Sequence, residues 1–232
     1  SIAMWSKWMI LLVRTDSKVE SKHDGITCLL VEMETPGITV RPIKNMSGGT
    51  MFAEVFFDSV KVPVENRLGE EGEGWRVTIS ALAHERSGIA EVEGLKRTLE
   101  GVRELARQCT RNGRPAIEDP AIRSRIARAD TRVEAMRLNG QRFLTKQLRG
   151  EPLSSETSIN KLLRAELEVE FGELALEIEG SWGALEKGAD GVPDEGRWQR
   201  FALSWPEVVI GGGTPNIQKN IIAERILGLP KD

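Results

Sequence analysis

Glu85 is the first residue whose neighbours in the sequence point to chemistry. At helical spacing it falls among Ala81, Leu82, Ile89 and Val92, on an apolar stripe. A carboxylate there loses solvation, which disfavours its charged form and prepares a general base. The competing reading is an ion pair with the adjacent Arg86 at the edge of a helical bundle. The second candidate is Gly211-Gly212-Gly213-Thr214-Pro215. Three glycines lead into a helix start marked by a threonine cap and a proline, and the N–H groups of such a start attract an anion or an oxyanion. No Gly-Lys-Ser/Thr follows, so it is not a Walker loop. A plain turn that caps a helix accounts for the same residues. Gly180-Ser181-Trp182-Gly183 reads either as a helix C-cap with a packed tryptophan or as a close backbone approach to a ligand. Arg107, Arg111 and Arg114 surround Gly113 as a basic loop, solvated or in contact with a phosphate. His84 reads as structural or surface, and His23 lies in a turn.

Two kinds of element must position these residues. Up to about residue 68 the chain reads as β. Lys7–Val13 is a continuous apolar run, and Ile26–Glu32 follows the turn dipeptide Asp24-Gly25. Ile38–Ile43 follows Pro36-Gly37, and Met51–Phe57 follows Gly48-Gly49. Val60, Val62 and Val64 alternate with Lys61 and Pro63, which predicts an edge strand. From about residue 73 the period becomes helical. Ile122, Ile126, Ala129, Val133, Met136 and Gly140 form one stripe in alternating steps of four and three, entered at Asp119-Pro120. Leu163, Leu167, Phe171, Leu174 and Ile178 form another. Leu82, Ile89, Val92, Leu99, Val102 and Ala106 mark a helical region over about 75–108, and Thr214-Pro215 opens a last helix that Gly228 and Pro230 close. The expected class is α+β: a partial β-sandwich or barrel over 1–69, then an antiparallel four-helix bundle over 70–232.

Composition narrows the partners. The chain has 232 residues, 40% hydrophobic and 29% charged, with a net charge of -3 and both signs interspersed. That is no footprint for nucleic acid or a membrane surface. The longest apolar run, Trp8–Val13, is too short to span a bilayer, and no signal-peptide pattern opens the chain. Cys28 and Cys109 read as free thiols of a reducing, cytoplasmic compartment, and two histidines with two cysteines make no ready metal site.

One stretch is more specific than any of these patterns. Residues 51–75, MFAEVFFDSVKVPVENRLGEEGEGW, resemble the acyl-CoA dehydrogenase segment where the middle β-domain passes into the C-terminal helical domain. Trp8–Thr15 resembles the strand after that family's flavin-binding tryptophan–threonine motif, and Gly213–Pro230 resembles its last helix. The resemblance covers essentially the whole chain. It implies α,β-dehydrogenation of an acyl-CoA with FAD as cofactor, and an electron-transfer flavoprotein or similar acceptor. It implies a homotetramer or mixed tetramer. It also implies that the N-terminal helical domain and part of the β-domain lie outside these residues, so that this part alone is inactive and binds FAD poorly.

The resemblance also grades individual residues. Many members carry the catalytic glutamate just before the Gly-Thr of the last helix, where this chain has Gly212. A second group places the base on the first bundle helix beside an arginine, which matches Glu85 and Arg86. Gly212 then offers a backbone N–H to the thioester carbonyl, and a glutamate returned to 212 is expected to regain some base function. Thr214 and Asn216 match positions that approach FAD. Glu177, Gly180 and Ser181 match a Gln-x-x-Gly-Gly pattern that meets the adenine end of FAD across a subunit interface. Arg111 is the favoured substitute for the family's pyrophosphate arginine. An acid at 177 is unfavourable beside a pyrophosphate. The departures at Gly212, Glu177 and the pyrophosphate loop Arg107–Gly113 favour, as the alternative, a non-catalytic partner subunit of a mixed tetramer; an acyl-CoA oxidase or a monooxygenase on the same fold is a third class.

Overall fold

A computed structural model describes residues 1–85, 89–151 and 155–231, with the side chains of 82–90 outside the description. The chain divides into two compact units, Ser1–Leu82 and Ala83–Asp232.

In the first unit β1 (Trp8–Arg14), β2 (Ile26–Glu32) and β5 (Arg67–Leu68) form an antiparallel sheet in the order β1-β2-β5. β3 (Ile38–Ile43) and β4 (Phe52–Phe57) pair separately, Ile38 opposite Phe57 through Ile43 opposite Phe52. Among the described residues these small sheets close no barrel. Side chains of β1 alternate as a pleated strand requires: Trp8, Ile10 and Leu12 are exposed, and Met9, Leu11 and Val13 are half-buried. Cys28 and Val31 of β2 are the buried centre. The edge strand expected at Val60–Val64 does not form. Ser59 turns the backbone to φ 51°, and Pro63, which has no N–H for a ladder, leads into a short 3₁₀ turn at Val64–Asn66. The strand that pairs with β2 is Arg67–Leu68 instead, with Leu68 opposite Cys28. The helix α1 (Gly74–Glu85) starts against this sheet. A side chain at Gly74 would lie 2.6 Å from the Cys28 nitrogen, so only glycine admits that approach. Trp75, the next residue, stacks on His23 with ring centroids 4.2 Å apart.

The second unit contains α2 (Ile89–Gln108), α3 (Pro120–Leu148), α4 (Thr157–Glu179), α5 (Arg197–Ile210) and α6 (Pro215–Arg225). Within the helical region expected over 75–108, helix is described over Gly74–Glu85 and again over Ile89–Gln108, and residues 86–88 lie outside the described residues. The stripe Ile122, Ile126, Ala129, Val133, Met136 and Gly140 is buried throughout α3. It meets Val92, Leu95, Leu99, Val102 and Leu105 of α2, and Leu167, Phe171, Leu174 and Ile178 of α4. Each such large side chain contributes roughly 1.5–3 kcal/mol on burial. Asp119 caps α3 by accepting from the Ala121 N–H at 2.8 Å. α2, α3 and α4 pack pairwise, while α5 and α6 lie on α4. α5 comes closest at Gly172, where a Cβ would stand 3.1 Å from the Ala202 Cα. The connection from α2 to α3 is a hairpin of β6 (Thr110–Arg111) and β7 (Arg114–Pro115), with Asn112 and Gly113 both at positive φ. This is the Asn-Gly chemistry of the tightest hairpin turns. Among the described residues no helix is long and apolar enough to cross a membrane.

Candidate functional site

The turn from α5 to α6 is held open by glycine and held in place from beneath. α5 ends with the Gly211 N–H on the Glu207 carbonyl at 2.9 Å. Gly212 and Gly213 then adopt φ +67° and +101°, a region L side chains avoid. Thr214 starts α6, its Oγ1 accepting from the Ile217 N–H at 3.4 Å, with Pro215 at the first helical position. Fully buried Gln218 donates from Nε2 to the Gly212 and Gly213 carbonyls at 2.9 and 3.3 Å. Its Oε1 has no partner. From α4, buried Lys161 donates from Nζ to the Val208 carbonyl at 2.9 Å. Its Cε lies 3.3 Å from where a Gly212 Cβ would be. The turn therefore presents bare glycine backbone, and because Pro215 has no N–H and Thr214 takes that of Ile217, the Asn216 N–H is the first-turn donor left to meet an anionic or carbonyl oxygen. Asn216 is exposed on that first turn.

A second cluster forms at the other end of α4. Glu177 in the last turn receives Arg111 Nη1 on Oε1 at 3.0 Å and Arg125 Nη1 on Oε2 at 2.5 Å. Asp119 accepts from Arg111 Nε at 3.2 Å. Two residues singled out separately in the sequence, Arg111 and Glu177, are thus bonded to each other. Gly180 ends α4 at φ 59°, and Ser181 is exposed in the 3₁₀ turn Gly180–Ala184 that follows. Glu179, just before Gly180, is buried. Its Oε2 accepts from Gln199 Nε2 at 2.8 Å, and the same amide donates to the Trp182 carbonyl at 2.9 Å. Its Oε1 has no partner. Burial, with Asp194 as a nearby like charge, raises the Glu179 carboxyl to about 7. Burial and then Glu179 itself push the Cys109 thiol upward.

The two clusters are separated along α4 by the distance from Lys161 to Glu177, roughly 24 Å at 1.5 Å per residue. The Glu85 backbone is the last residue of α1, but its side chain lies outside the described residues, as does all of Arg86. Lys161, Gln218 and Arg125 carry no mark in the sequence that separates them from surface residues. Only their tertiary partners identify them, although Lys161 and Glu179 do fall on the buried side of an otherwise apolar helix.

Comparison with known proteins places this architecture. The family model for the acyl-CoA dehydrogenase C-terminal domain matches residues 72–227. The chain belongs to the acyl-CoA dehydrogenase family. It is 37% identical to acyl-CoA dehydrogenase IpdE1 of Mycobacterium tuberculosis, over 100% of this chain and 58% of that protein. Among solved structures it resembles the ChsE4–ChsE5 complex of M. tuberculosis, with 29% identity, a TM-score of 0.82, and 100% of this chain and 60% of the other covered. It also resembles a glutaryl-coenzyme A dehydrogenase bound to glutaryl-CoA, with 25% identity, a TM-score of 0.79, and 99% and 57% covered. The chain thus spans a little over half the length of the relatives it matches.

Proposed function

We propose that the full-length protein is a flavin-dependent dehydrogenase that converts an acyl-CoA thioester to its trans-2-enoyl-CoA. The observation that carries this reading is the family match over 72–227. The turn at Gly211–Asn216 suits a flavin and thioester in chemical character: it has two left-handed glycines without side chains, and a helix start capped by Thr214. FAD, if bound, would supply the acceptor for the hydride of the β-carbon. Glu85 removes the α-proton, and the Gly212 N–H polarises the thioester carbonyl as charge develops on its oxygen. Thr214 and Asn216 approach the cofactor. By the family resemblance, the Glu177, Gly180 and Ser181 end of α4, roughly 24 Å along the helix from the glycine turn, meets the adenine end of a cofactor held across a subunit interface. A second copy or a paired subunit is then required, in a homotetramer or mixed tetramer. An electron-transfer flavoprotein or a similar protein would be the final electron acceptor.

The residues at Arg111–Glu177 do not fit a diphosphate as they stand. The arginine is already engaged by two carboxylates, Glu177 and Asp119. This favours a second reading, in which the chain is the non-catalytic subunit of a mixed tetramer. Anaerobic titration of the purified full-length protein with acyl-CoA thioesters separates the two. The dehydrogenase reading expects the flavin absorbance to bleach, and Glu85→Gln to slow that reduction by at least about 10²-fold. A flavin that no acyl-CoA bleaches, or a Glu85→Gln variant as fast as the parent, removes it.

A further inference from the structure

We propose that Glu177 is a built-in competitor for a diphosphate: its carboxylate fills a seat formed by Arg111 and Arg125 that would otherwise take the diphosphate of a nucleotide ligand. The inference rests on the flavoenzyme reading above and concerns only this end of α4. Three elements build the seat. The hairpin turned by Asn112 and Gly113 presents Arg111. The N-terminal part of α3 presents Arg125, and the last turn of α4 presents Glu177. Each carboxylate oxygen takes one guanidinium, at 3.0 and 2.5 Å. Two guanidinium groups converging on the two oxygens of one anion is also how arginines hold a phosphate. The side chains of Arg111, Arg125 and Glu177 are 39%, 28% and 38% exposed, so a ligand can reach the seat from solvent.

The charge balance decides who occupies it. With Asp119 on Arg111 Nε, two cations face two carboxylates, and an incoming diphosphate meets a compensated cluster. The carboxyl end of α4 adds the negative pole of the helix, which opposes an external anion further. Removing the Glu177 charge leaves two guanidinium groups facing a single carboxylate, that of Asp119. Two nucleotide ligands of the proposed reaction carry a diphosphate, FAD and coenzyme A, and the shared chemistry of the seat does not choose between them. A purely structural role, in which Glu177 merely ties hairpin, α3 and α4 together, makes the opposite prediction: its loss weakens the protein and creates no binding.

The test uses the full-length protein stripped of flavin, titrated calorimetrically with inorganic pyrophosphate, FAD and coenzyme A. Glu177→Gln keeps the shape of the side chain and removes its charge. It is expected to bind pyrophosphate at least about tenfold more tightly than the parent, a gain of about 1.4 kcal/mol in binding free energy. Adding Arg125→Gln, or Arg111→Gln should that double variant not fold, is expected to abolish the gain. A matching gain for FAD assigns the seat to the flavin, and one for coenzyme A assigns it to the substrate. No gain for pyrophosphate, a gain that survives loss of either arginine, or a gain shared by neither nucleotide overturns the proposal. None of these outcomes bears on whether acyl-CoA bleaches the flavin, so the proposed reaction stands or falls separately.

Discussion

Glu179 has one amide donor and little solvent at the end of α4, and its carboxyl is held near 7 by burial and by Asp194. In the unfolded chain it returns to about 4.5. Between those values the folded protein holds a proton that the unfolded chain has released. Stability is therefore greatest below about 4.5 as far as this group is concerned, declines as pH rises toward 7, and is flat above it. The gap corresponds to at most about 3 kcal/mol. Glu179→Gln keeps an acceptor for the Gln199 amide and never ionises. Urea unfolding at pH 5 and pH 8 should show the variant close to the parent at the lower pH and more stable by roughly 2–3 kcal/mol at the higher. Equal stabilities at pH 8 would refute this. Gly212 yields a second prediction, and it reverses the expectation that a glutamate returned there regains base function. A Cβ at 212 points at the Lys161 stem 3.3 Å away, and φ +67° strains any L side chain. A carboxylate there would pair with the buried ammonium. Gly212→Glu should therefore cost about 1–3 kcal/mol and leave flavin reduction in a Glu85→Gln background unrecovered. A recovery of tenfold or more would show that the position still faces the α-carbon.

At the scale of elements, the contact between α4 and α5 depends on one missing methyl group. At Gly172 the Ala202 Cα is 3.1 Å from a would-be Cβ, and backbone cannot step aside as a flexible side chain can. Gly172→Val should separate the two helices and cost about 1–3 kcal/mol. Gly94 in α2 has nothing within 4 Å of its would-be Cβ, so Gly94→Ala should gain about 0.5–1 kcal/mol from helix propensity alone. Denaturation midpoints for the two variants, measured side by side, check both; equal shifts would mean that the close approach is not what glycine serves at 172. The same elements mark what a sequence can reveal. The α3 stripe was legible because every member recurs at three or four and all face one core. β2 and β3 were legible to the residue because a turn dipeptide precedes each. α5 was not, because Pro206 interrupts it and Asp194 and Glu195, at positive φ without being glycine, hide its start. The 60–64 segment misled because alternation of valine ignores the donor that Pro63 lacks. In the candidate site, the Thr214 cap and the glycine turn are local signals and could be read directly. Lys161, Gln218 and the Arg125–Glu177 bond depend on residues brought together by packing, and no spacing announces them.

At the scale of the molecule, the helical unit completes a core and still leaves large apolar side chains in solvent. Leu144 and Leu148 stand one turn apart on α3, Leu203 and Ile210 two turns apart on α5, and Ile217 lies on the first turn of α6. Isolated exposed leucines need no explanation, but spacings of four and seven place each pair on one helix face, the pattern of a surface meant to be covered. The proposed reaction suggests the occupant: if the two ends of α4 meet different cofactor molecules, as proposed above, a second helical unit of the same family would cover these faces. Full-length protein is expected to run as an oligomer in light scattering at concentrations well above micromolar, with the tetramer as the expected state. Leu148 is 80% exposed and belongs to no part of the core, so Leu148→Glu separates assembly from folding. The variant should shift toward smaller species while its helical content, read by circular dichroism, stays that of the parent. A parent protein that is monodisperse as a monomer would leave the apolar faces without this partner. A Leu148→Glu variant that assembles as the parent does would move the interface to another face of the helices.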